Sequence, residues 1–424
     1  MKNNSNTQEK GLQNTDNQEV KKNTKVKRNT EVKGNVPLII KLENYIFQKY
    51  ELRLNAVSGE LDGKFKGEKD FKIFNEDKVS YDLYASGFSK FNQILPVIIS
   101  EKVPKYDPVK NYFESLPKWN NSMPDYIQQL SEFVVIEDKK WWEYMFKKHL
   151  VRMVAQGILH IPFNKQCLTL VGKQNDGKTS FLEFLVPPIL QKYYRKGFDF
   201  SGSKDAKISL CQNFLINLDE LASFDKKELN NNFKTILTES IVKYRPLFAK
   251  GEVTHYRRAN FVASTNQYEF LTDETGNVRW LPFVVKDIIH DNGNGKGYGA
   301  NIDIDLVWSQ AYHLLLSKEF EYNMNKADIQ MQEKINQRFM RVSTEMELIQ
   351  ANFKQCNKND SGSEFMTATE MLQKIKSRFT VQVNPIQIGK ALKILNFQES
   401  NEYCKKSGYT KKGYYVINID ISLT

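Results

Sequence analysis

The chain has 424 residues, which is enough for about three domains. Lysine and arginine outnumber aspartate and glutamate by 61 to 50, so the formal net charge is +11. This balance favours a polyanionic partner such as nucleic acid, although a lysine-rich solvated surface would give the same count. The sequence has no apolar run of about 18 residues and a polar first segment, so we expect a cytoplasmic protein with no membrane role.

The four cysteines are spaced singly, without a C-x-x-C pair or a nearby pair of histidines. This spacing favours plain buried or half-buried thiols over a zinc ribbon or a disulfide framework. The four residues are Cys167, Cys211, Cys356 and Cys404.

The first part of the chain divides into a tail and a small domain. Residues 1–36 are rich in asparagine and lysine and have little to bury, which predicts a disordered basic tail. Residues 37–117 mix strand-like and helical stretches, which predicts an α+β domain. A predicted helix that carries Trp141 and runs toward Ile158 leads into a central domain, which we place at residues 118–325.

The central domain alternates short apolar stretches with helical ones, which predicts an α/β fold with a mostly parallel sheet. Its strongest signal is the segment GKQNDGKT, a full match to the phosphate-loop pattern G-x-x-x-x-G-K-[ST]. A strand-like stretch precedes this segment and a helical one follows, as such a loop requires. We therefore predict ATP binding by Gly172, Lys173, Gln174, Asn175, Asp176, Gly177, Lys178, Thr179 and Ser180. The alternative is a glycine turn that binds nothing.

Two pairs of residues predict the chemistry at this loop. The Lys178 ammonium would neutralise the β- and γ-phosphates, and the Thr179 hydroxyl would hold Mg²⁺. Asp219 and Glu220 follow the apolar stretch Phe214–Leu218. Asp219 would hold the Mg²⁺ shell and Glu220 would polarise the attacking water. Alternatively, this strand simply ends at an acidic turn.

Two more polar residues lie next to later predicted strands. The apolar stretch Ala259–Thr265 ends at Asn266, whose amide would align the lytic water because the carboxyl ends of parallel strands face the ligand crevice. Arg279 precedes another apolar stretch and would reach the γ-phosphate bound by a neighbouring subunit. Alternatively, Asn266 is an ordinary turn residue and Arg279 is a surface arginine in a salt bridge.

In this order, these elements resemble the virulence-associated protein E family, whose ATPase core is similar to superfamily 3 helicases of mobile genetic elements. The likeness spans roughly residues 118–286 and is weaker upstream. It is carried by Gly172–Thr179, Leu218–Leu221, Arg245–Leu247, Ala263–Asn266 and Asp273–Trp280. Many relatives have two adjacent basic residues in the last segment, whereas this chain has Val278 before Arg279.

The resemblance implies an AAA+-like P-loop NTPase core in which Asn266 is sensor 1 and Arg279 is the arginine finger. An arginine finger acts across a subunit boundary, so the implied assembly is a homo-oligomer, a hexameric ring. It also implies a β-hairpin before the sensor strand, whose tip acts on DNA in the pore. Candidate DNA contacts there are Lys250 and His255, and an ordinary exposed hairpin is the alternative.

The last part predicts a helical linker at residues 326–363, with a flexible joint at 357–363, and a winged-helix-like domain at 364–424. Two amphipathic stretches begin at Ala368 and Pro385, and the second carries an apolar stripe that we expect in the core: Ile386, Ile388, Leu392 and Leu395. Two strand-like stretches follow, and the loop between them is basic. Its predicted phosphate contacts are Lys405, Lys406, Lys411 and Lys412, although winged helices also bind proteins.

The predicted function is an ATP-dependent DNA helicase or translocase in the replication of a plasmid, phage or integrative element. Its expected cofactors are ATP and Mg²⁺, and its expected partners are single-stranded or forked DNA, further copies of the chain, and replication or mobile-element proteins. Two alternatives stay open. One is a nucleotide-switched initiator or regulator that binds DNA without unwinding it, and the other is an ATPase of a phage-defence or virulence system.

Overall fold

The computed structural model describes residues 36–74, 76–159, 164–219, 227–245, 251–271, 277–291, 293–404 and 408–419. They form two compact units. Of these described residues, those within 36–52 and 62–103 belong to the smaller unit, and those within 53–61 and 104–419 belong to the larger. In the described part of the chain, no helix combines the length and the apolar character that spanning a bilayer requires.

The smaller unit consists mainly of helices and includes a short antiparallel strand pair. Leu42, Ile46, Val79, Leu83 and Phe91 are buried in it. Its elements are α1 (Leu38–Lys49), the start of β1 (Tyr50–Asn55), nearly all of β2 (Leu61–Phe65), β3 (Lys72–Ile73), α2 (Glu76–Ala85) and α3 (Leu95–Lys102), and β2 pairs with β3. In the larger unit, the end of β1 pairs in parallel with β4 (Lys105–Tyr106).

The larger unit is organised around a six-stranded sheet, which confirms the predicted mixed α/β architecture. The strands, in chain order, are β5 (Val134–Ile136), β6 (Cys167–Val171), β7 (Tyr194–Lys196), β8 (Leu215–Leu218), β11 (Asn260–Thr265) and β12 (Trp280–Ile288). Their order across the sheet is β5, β12, β6, β11, β8, β7. All neighbours are parallel except β5 and β12. The carboxyl ends of five strands therefore meet at one edge.

Hydrophobic cores cover both faces of this sheet, as expected for strands that lie in parallel between helices. In β6, Leu168 and Leu170 belong to one core, whereas Cys167 and Val171 belong to the other. The helices are α4 (Pro108–Ser115), α5 (Tyr126–Ser131), α6 (Lys139–Ile158), α7 (Lys178–Phe184), α8 (Lys204–Gln212), α9 (Lys227–Thr238), α10 (Tyr298–Asn301), α11 (Ile304–Ser317) and α12 (Lys326–Asn336).

A β-hairpin precedes β11, where the sequence predicts one. Its arms are β9 (Ile241–Tyr244) and β10 (Val253–Tyr256), which pair in an antiparallel register from Tyr244 opposite Val253 to Ile241 opposite Tyr256. The predicted tip residue Lys250 lies outside the described residues.

The carboxyl-terminal module has its own hydrophobic core and a small antiparallel sheet centred on its last strand. Its elements are α13 (Thr344–Asn352), β13 (Phe353–Gln355), β14 (Glu364–Met366), α14 (Ala368–Arg378), α15 (Pro385–Ile394), β15 (Glu399–Cys404) and β16 (Tyr409–Asn418). The strands β13, β14 and β15 all pair with β16.

The structure corrects the predicted linker at residues 326–363. Its first helix, α12, buries Gln332 and Asn336 beside the six-stranded sheet. Its second helix, α13, buries Met346 and Ile349 in the core of the carboxyl-terminal module. The predicted joint at 357–363 is a turn between two strands that pair with β16, so it lies inside that module.

The predicted apolar stripe on α15 is wrong at one position. Ile388 and Leu392 are fully buried and Leu395 is half-buried, but the Ile386 side chain is 72% exposed. Residues 386 and 388 are two apart on a helix, which places their side chains about 200° from each other. They therefore cannot both face the same core.

Candidate phosphate-binding site

The glycine-rich segment forms a tight loop between β6 and α7. Its first residue is tied to the sheet, since the Gly172 amide donates to the Thr265 carbonyl oxygen at 3.1 Å. Asn175 and Gly177 adopt left-handed backbone conformations, with φ of 66° and 72°. Helix α7 then begins at Lys178. The strand, loop and helix therefore follow one another as the motif predicts.

This loop forms one side of a cavity of about 400 Å³ at the carboxyl edge of the sheet. Four of the predicted catalytic and metal-binding residues contribute to it, because they follow or lie beside neighbouring parallel strands. These four are Lys178, Thr179, Asp219 and Asn266. The cavity lining is Gln174–Ser180, Asp219, Ser264, Thr265 and Asn266.

Three oxygen-bearing side chains converge in this cavity. The Thr179 Oγ1 hydroxyl donates to Asp219 Oδ1 at 2.8 Å, and the Ser264 Oγ hydroxyl donates to the same oxygen at 2.7 Å. The two hydroxyl oxygens are 3.2 Å apart. Hydroxyl and carboxylate oxygens are the ligands that Mg²⁺ prefers, so this group fits that ion and its water shell. Ser264 was assigned no role from the sequence.

Lys178 is held close to the loop backbone. Its side chain is mostly buried, with the residue 7% exposed, and its ammonium donates to the carbonyl oxygens of Gly172, at 3.1 Å, and Lys173. Burial lowers the pKa of Lys178, while the charges of Asp176 and Asp219 act in the opposite direction. An anion bound in the cavity would reduce the free-energy cost of keeping this ammonium charged.

Arg279 ends a short 3₁₀ turn, Asn277–Arg279, and is half-buried. It does not line the cavity formed by the loop of its own chain. Helix α12 holds this turn at both ends through its buried Asn336. The amide of that residue donates to the Asn277 carbonyl oxygen at 2.5 Å and to the Trp280 carbonyl oxygen at 3.1 Å. The position of Arg279 is thus set by the fold around it.

Three of the predicted nucleic-acid contacts lie among the described residues, and each has a side-chain partner. His255 lies on β10 and stacks on Tyr244, with ring centroids 5.5 Å apart. Lys411 pairs with Glu370 at 3.2 Å, and Lys412 pairs with Glu399 at 2.6 Å. Ion pairs near the surface contribute little free energy, so phosphate can compete for these lysines.

Some predicted site residues and resemblance segments lie wholly or partly outside the described residues. They are Glu220, Lys250, Lys405 and Lys406, together with residues 221, 246–247 and 273–276.

A histidine with no predicted role packs against the loop. His290 follows β12, and its Nε2 atom lies 3.3 Å from the Asp176 carbonyl oxygen. The two residues are 114 positions apart, so only the tertiary fold brings them together. No local pattern in the sequence distinguishes this histidine from one in a surface loop.

Comparison with known proteins gives structural and family matches. A solved structure described as the A form apo structure of the NrS-1 C-terminal region shares 13% identity, with a TM-score of 0.47, over 90% of this chain and 99% of that one. A second apo structure of that region, residues 305–718, shares 14% identity with a TM-score of 0.45, again over 90% of this chain and 99% of that one.

No curated protein matches the sequence. The model of the virulence-associated protein E-like domain matches residues 113–341, which is more than half of the chain. This match confirms the resemblance that the sequence motifs indicate, and it extends that resemblance through α12. The chain therefore belongs to the virulence-associated protein E-like domain family.

Proposed function

We propose that this chain is an ATP hydrolase that acts on DNA, as a helicase or translocase, during replication of a plasmid, phage or integrative element. The observation that carries the proposal is the meeting of Lys178, Thr179, Asp219 and Asn266 at one cavity. A lysine, a hydroxyl, a carboxylate and an amide are the groups that phosphoryl transfer to water uses. Membership of the family supports the link to mobile elements.

The proposed domains follow from the packing. We propose a P-loop NTPase core of the superfamily 3 helicase type that ends near residue 341, where the family match ends. The carboxyl-terminal module would then be a winged helix over residues 344–419. Its helices α14 and α15, followed by the paired strands β15 and β16, support that assignment.

Each residue of the proposed site has a distinct role. Lys178 neutralises negative charge on the β- and γ-phosphates, and Thr179 and Asp219 hold Mg²⁺ and its waters. Bound Mg²⁺ would offset the charge that develops on the phosphate oxygens. Glu220 is the proposed base for the attacking water, and Asn266 orients that water.

The first test is steady-state ATPase activity with and without single-stranded DNA. We expect Lys178→Ala and Glu220→Gln each to lower kcat by roughly 100-fold or more, because both remove groups that act on the transition state. Lys139→Ala is a matched control, since Lys139 is an exposed lysine that pairs with Glu143 at 3.5 Å. Hydrolysis that persists in both site variants would refute the assignment.

A second candidate is a nucleotide-switched DNA-binding protein that does not unwind. The separate core of the carboxyl-terminal module favours it, because such a module can bind DNA without translocation. Unwinding of a forked duplex by the full chain separates the two candidates, with Lys250→Ala beside the wild type. ATPase activity without strand separation would favour the second.

A further inference from the structure

The segment after β12 folds against the phosphate loop. Strand β12 continues beyond its last pairing with β6, at Val284 and Val171, and so passes beside the loop. A β-carbon added at Gly172 would lie 3.1 Å from the Val285 carbonyl oxygen. Farther along, His290 Nε2 lies 3.3 Å from the Asp176 carbonyl oxygen. A carbonyl oxygen only accepts hydrogen bonds, so a hydrogen bond in this contact requires the hydrogen on Nε2.

The imidazole also occupies the space that a side chain at residue 177 would need. A β-carbon at Gly177 would lie 1.8 Å from His290 Nε2 and 2.2 Å from Cε1. Gly177 has a φ of 72°, a conformation that side chains rarely adopt. The left-handed backbone conformation therefore favours glycine at residue 177, and a side chain there would displace the His290 ring from the loop.

The histidine ring is held in place by aromatic packing that leads back to α7. Tyr298 meets the His290 ring edge-on, with centroids 5.3 Å apart. The same tyrosine packs on Phe181 at 5.4 Å and Phe184 at 4.8 Å, both on the helix that the loop leads into. The backbone of His290 is also closely packed against Gly297, since a β-carbon added at Gly297 would lie 2.2 Å from the His290 carbonyl carbon.

We propose that His290 is a positioning residue for the phosphate loop, which fixes the Asp176–Gly177 peptide through its Nε2–H hydrogen bond and its contact with Gly177. The inference rests on the proposed nucleotide-binding function of the loop. His290 does not line the cavity. It therefore acts on the bound phosphates through the loop backbone and not by contact with the adenine base of the nucleotide. A ligand with only phosphates should therefore sense its loss as strongly as a nucleotide does.

The experiment measures binding of two ligands to the full chain by calorimetry with Mg²⁺ present. The ligands are a non-hydrolysable ATP analogue and inorganic tripolyphosphate, which lacks the base and sugar. We expect His290→Ala to weaken both by the same factor of roughly ten, the effect of one well-placed hydrogen bond. We expect His290→Gln, which keeps a donor, to recover most of this loss.

His313→Ala is a matched control, because His313 packs edge-on against Trp119 at 5.2 Å and takes no part in the cavity. Loss of analogue binding with unchanged tripolyphosphate binding would overturn the inference, because it would place His290 at the base. Unchanged binding of both ligands in His290→Ala, or a glutamine variant no better than alanine, would also overturn it. Wild-type protein that binds neither ligand would overturn the proposed function itself.

Discussion

At the scale of single residues, Ser264 links two strands through the proposed Mg²⁺ ligand Asp219. It is nearly fully buried at the end of β11, and its hydroxyl donates to Asp219, which follows β8. The carboxylate of Asp219 is thus oriented by hydroxyls from both sides, Ser264 and Thr179. Partners of this kind typically hold a metal ligand in the geometry that binding requires.

We predict that Ser264→Ala raises the Mg²⁺ concentration needed for half-maximal ATPase activity by roughly tenfold or more, because it removes one hydrogen bond to the charged Asp219 carboxylate. The measurement is a Mg²⁺ titration at saturating ATP. Ser309→Ala is the matched control, since Ser309 is also buried but its hydroxyl donates to the Pro117 carbonyl. An unchanged Mg²⁺ dependence would show that Ser264 does not orient Asp219.

A candidate site can be located from sequence alone where its residues lie in one local segment. The glycine loop with Lys178 and Thr179 is such a segment, because its spacing alone specifies the backbone shape. Ser264 and His290 could not be predicted in this way. Their roles arise from β11 lying beside β8 and from β12 passing the loop, which are tertiary neighbours.

At the scale of elements, the hairpin is fixed at its base by a fully buried arginine. Arg257 directly follows β10, and its guanidinium lies at hydrogen-bond distance from five oxygen atoms, three of which share the two hydrogens of Nη2. Burial lowers its pKa to about 10, so the guanidinium stays charged near neutral pH. The acceptors are the carbonyl oxygens of Asn164, Leu237, Glu239 and Ala259 and the side chain of Gln156.

We predict that Arg257→Met lowers the free energy of unfolding by about 2–4 kcal/mol, because it leaves several buried carbonyl groups without a donor. Urea unfolding followed by tryptophan fluorescence measures the change. Arg338→Met is the control, since Arg338 is exposed and pairs with Glu137 at 2.9 Å. A variant at position 257 that unfolds at the wild-type urea concentration would contradict the predicted anchoring.

The sequence predicts the presence of an element more reliably than it predicts which side of the element is buried. The strand before the loop, Cys167–Val171, is found as predicted, because its apolar run is short and glycine ends it. Ile386 was misplaced because hydrophobicity alone suggested burial, whereas helical spacing puts it opposite Ile388. The predicted linker is wrong because α12 and α13 have similar polar sequences, although α12 packs Ile335 against one core and α13 buries Met346 and Ile349 in another.

At the scale of the whole molecule, the position of Arg279 bears on assembly. Arg279 is held in a turn that α12 brackets, and it does not line the cavity of its own chain. We propose, from the resemblance to superfamily 3 helicases, that Arg279 reaches the γ-phosphate bound by a neighbouring subunit in a ring. Each catalytic site would then need residues from two chains.

We predict that Arg279→Ala and Lys178→Ala proteins, each inactive alone, recover ATPase activity when they are mixed. Random assembly at equal concentrations places an intact loop beside an intact arginine at about one quarter of interfaces, which sets the expected activity. Native mass spectrometry confirms that mixed oligomers form. Mixed oligomers without any recovered activity would contradict a shared site.

A β-bulge in β12 determines on which face of the sheet the last side chains of this strand lie. The pairing with β5 shifts between Val285 and Asp287, so Lys286 is an extra residue in that strand. Such a bulge reverses the alternation of side chains beyond it. Because of the bulge, the Ile288 side chain is buried. The bulge also determines the side of the strand from which the chain continues to His290. An insertion or deletion within the short stretch from residue 285 to residue 290 should consequently break the contact between His290 and the phosphate loop.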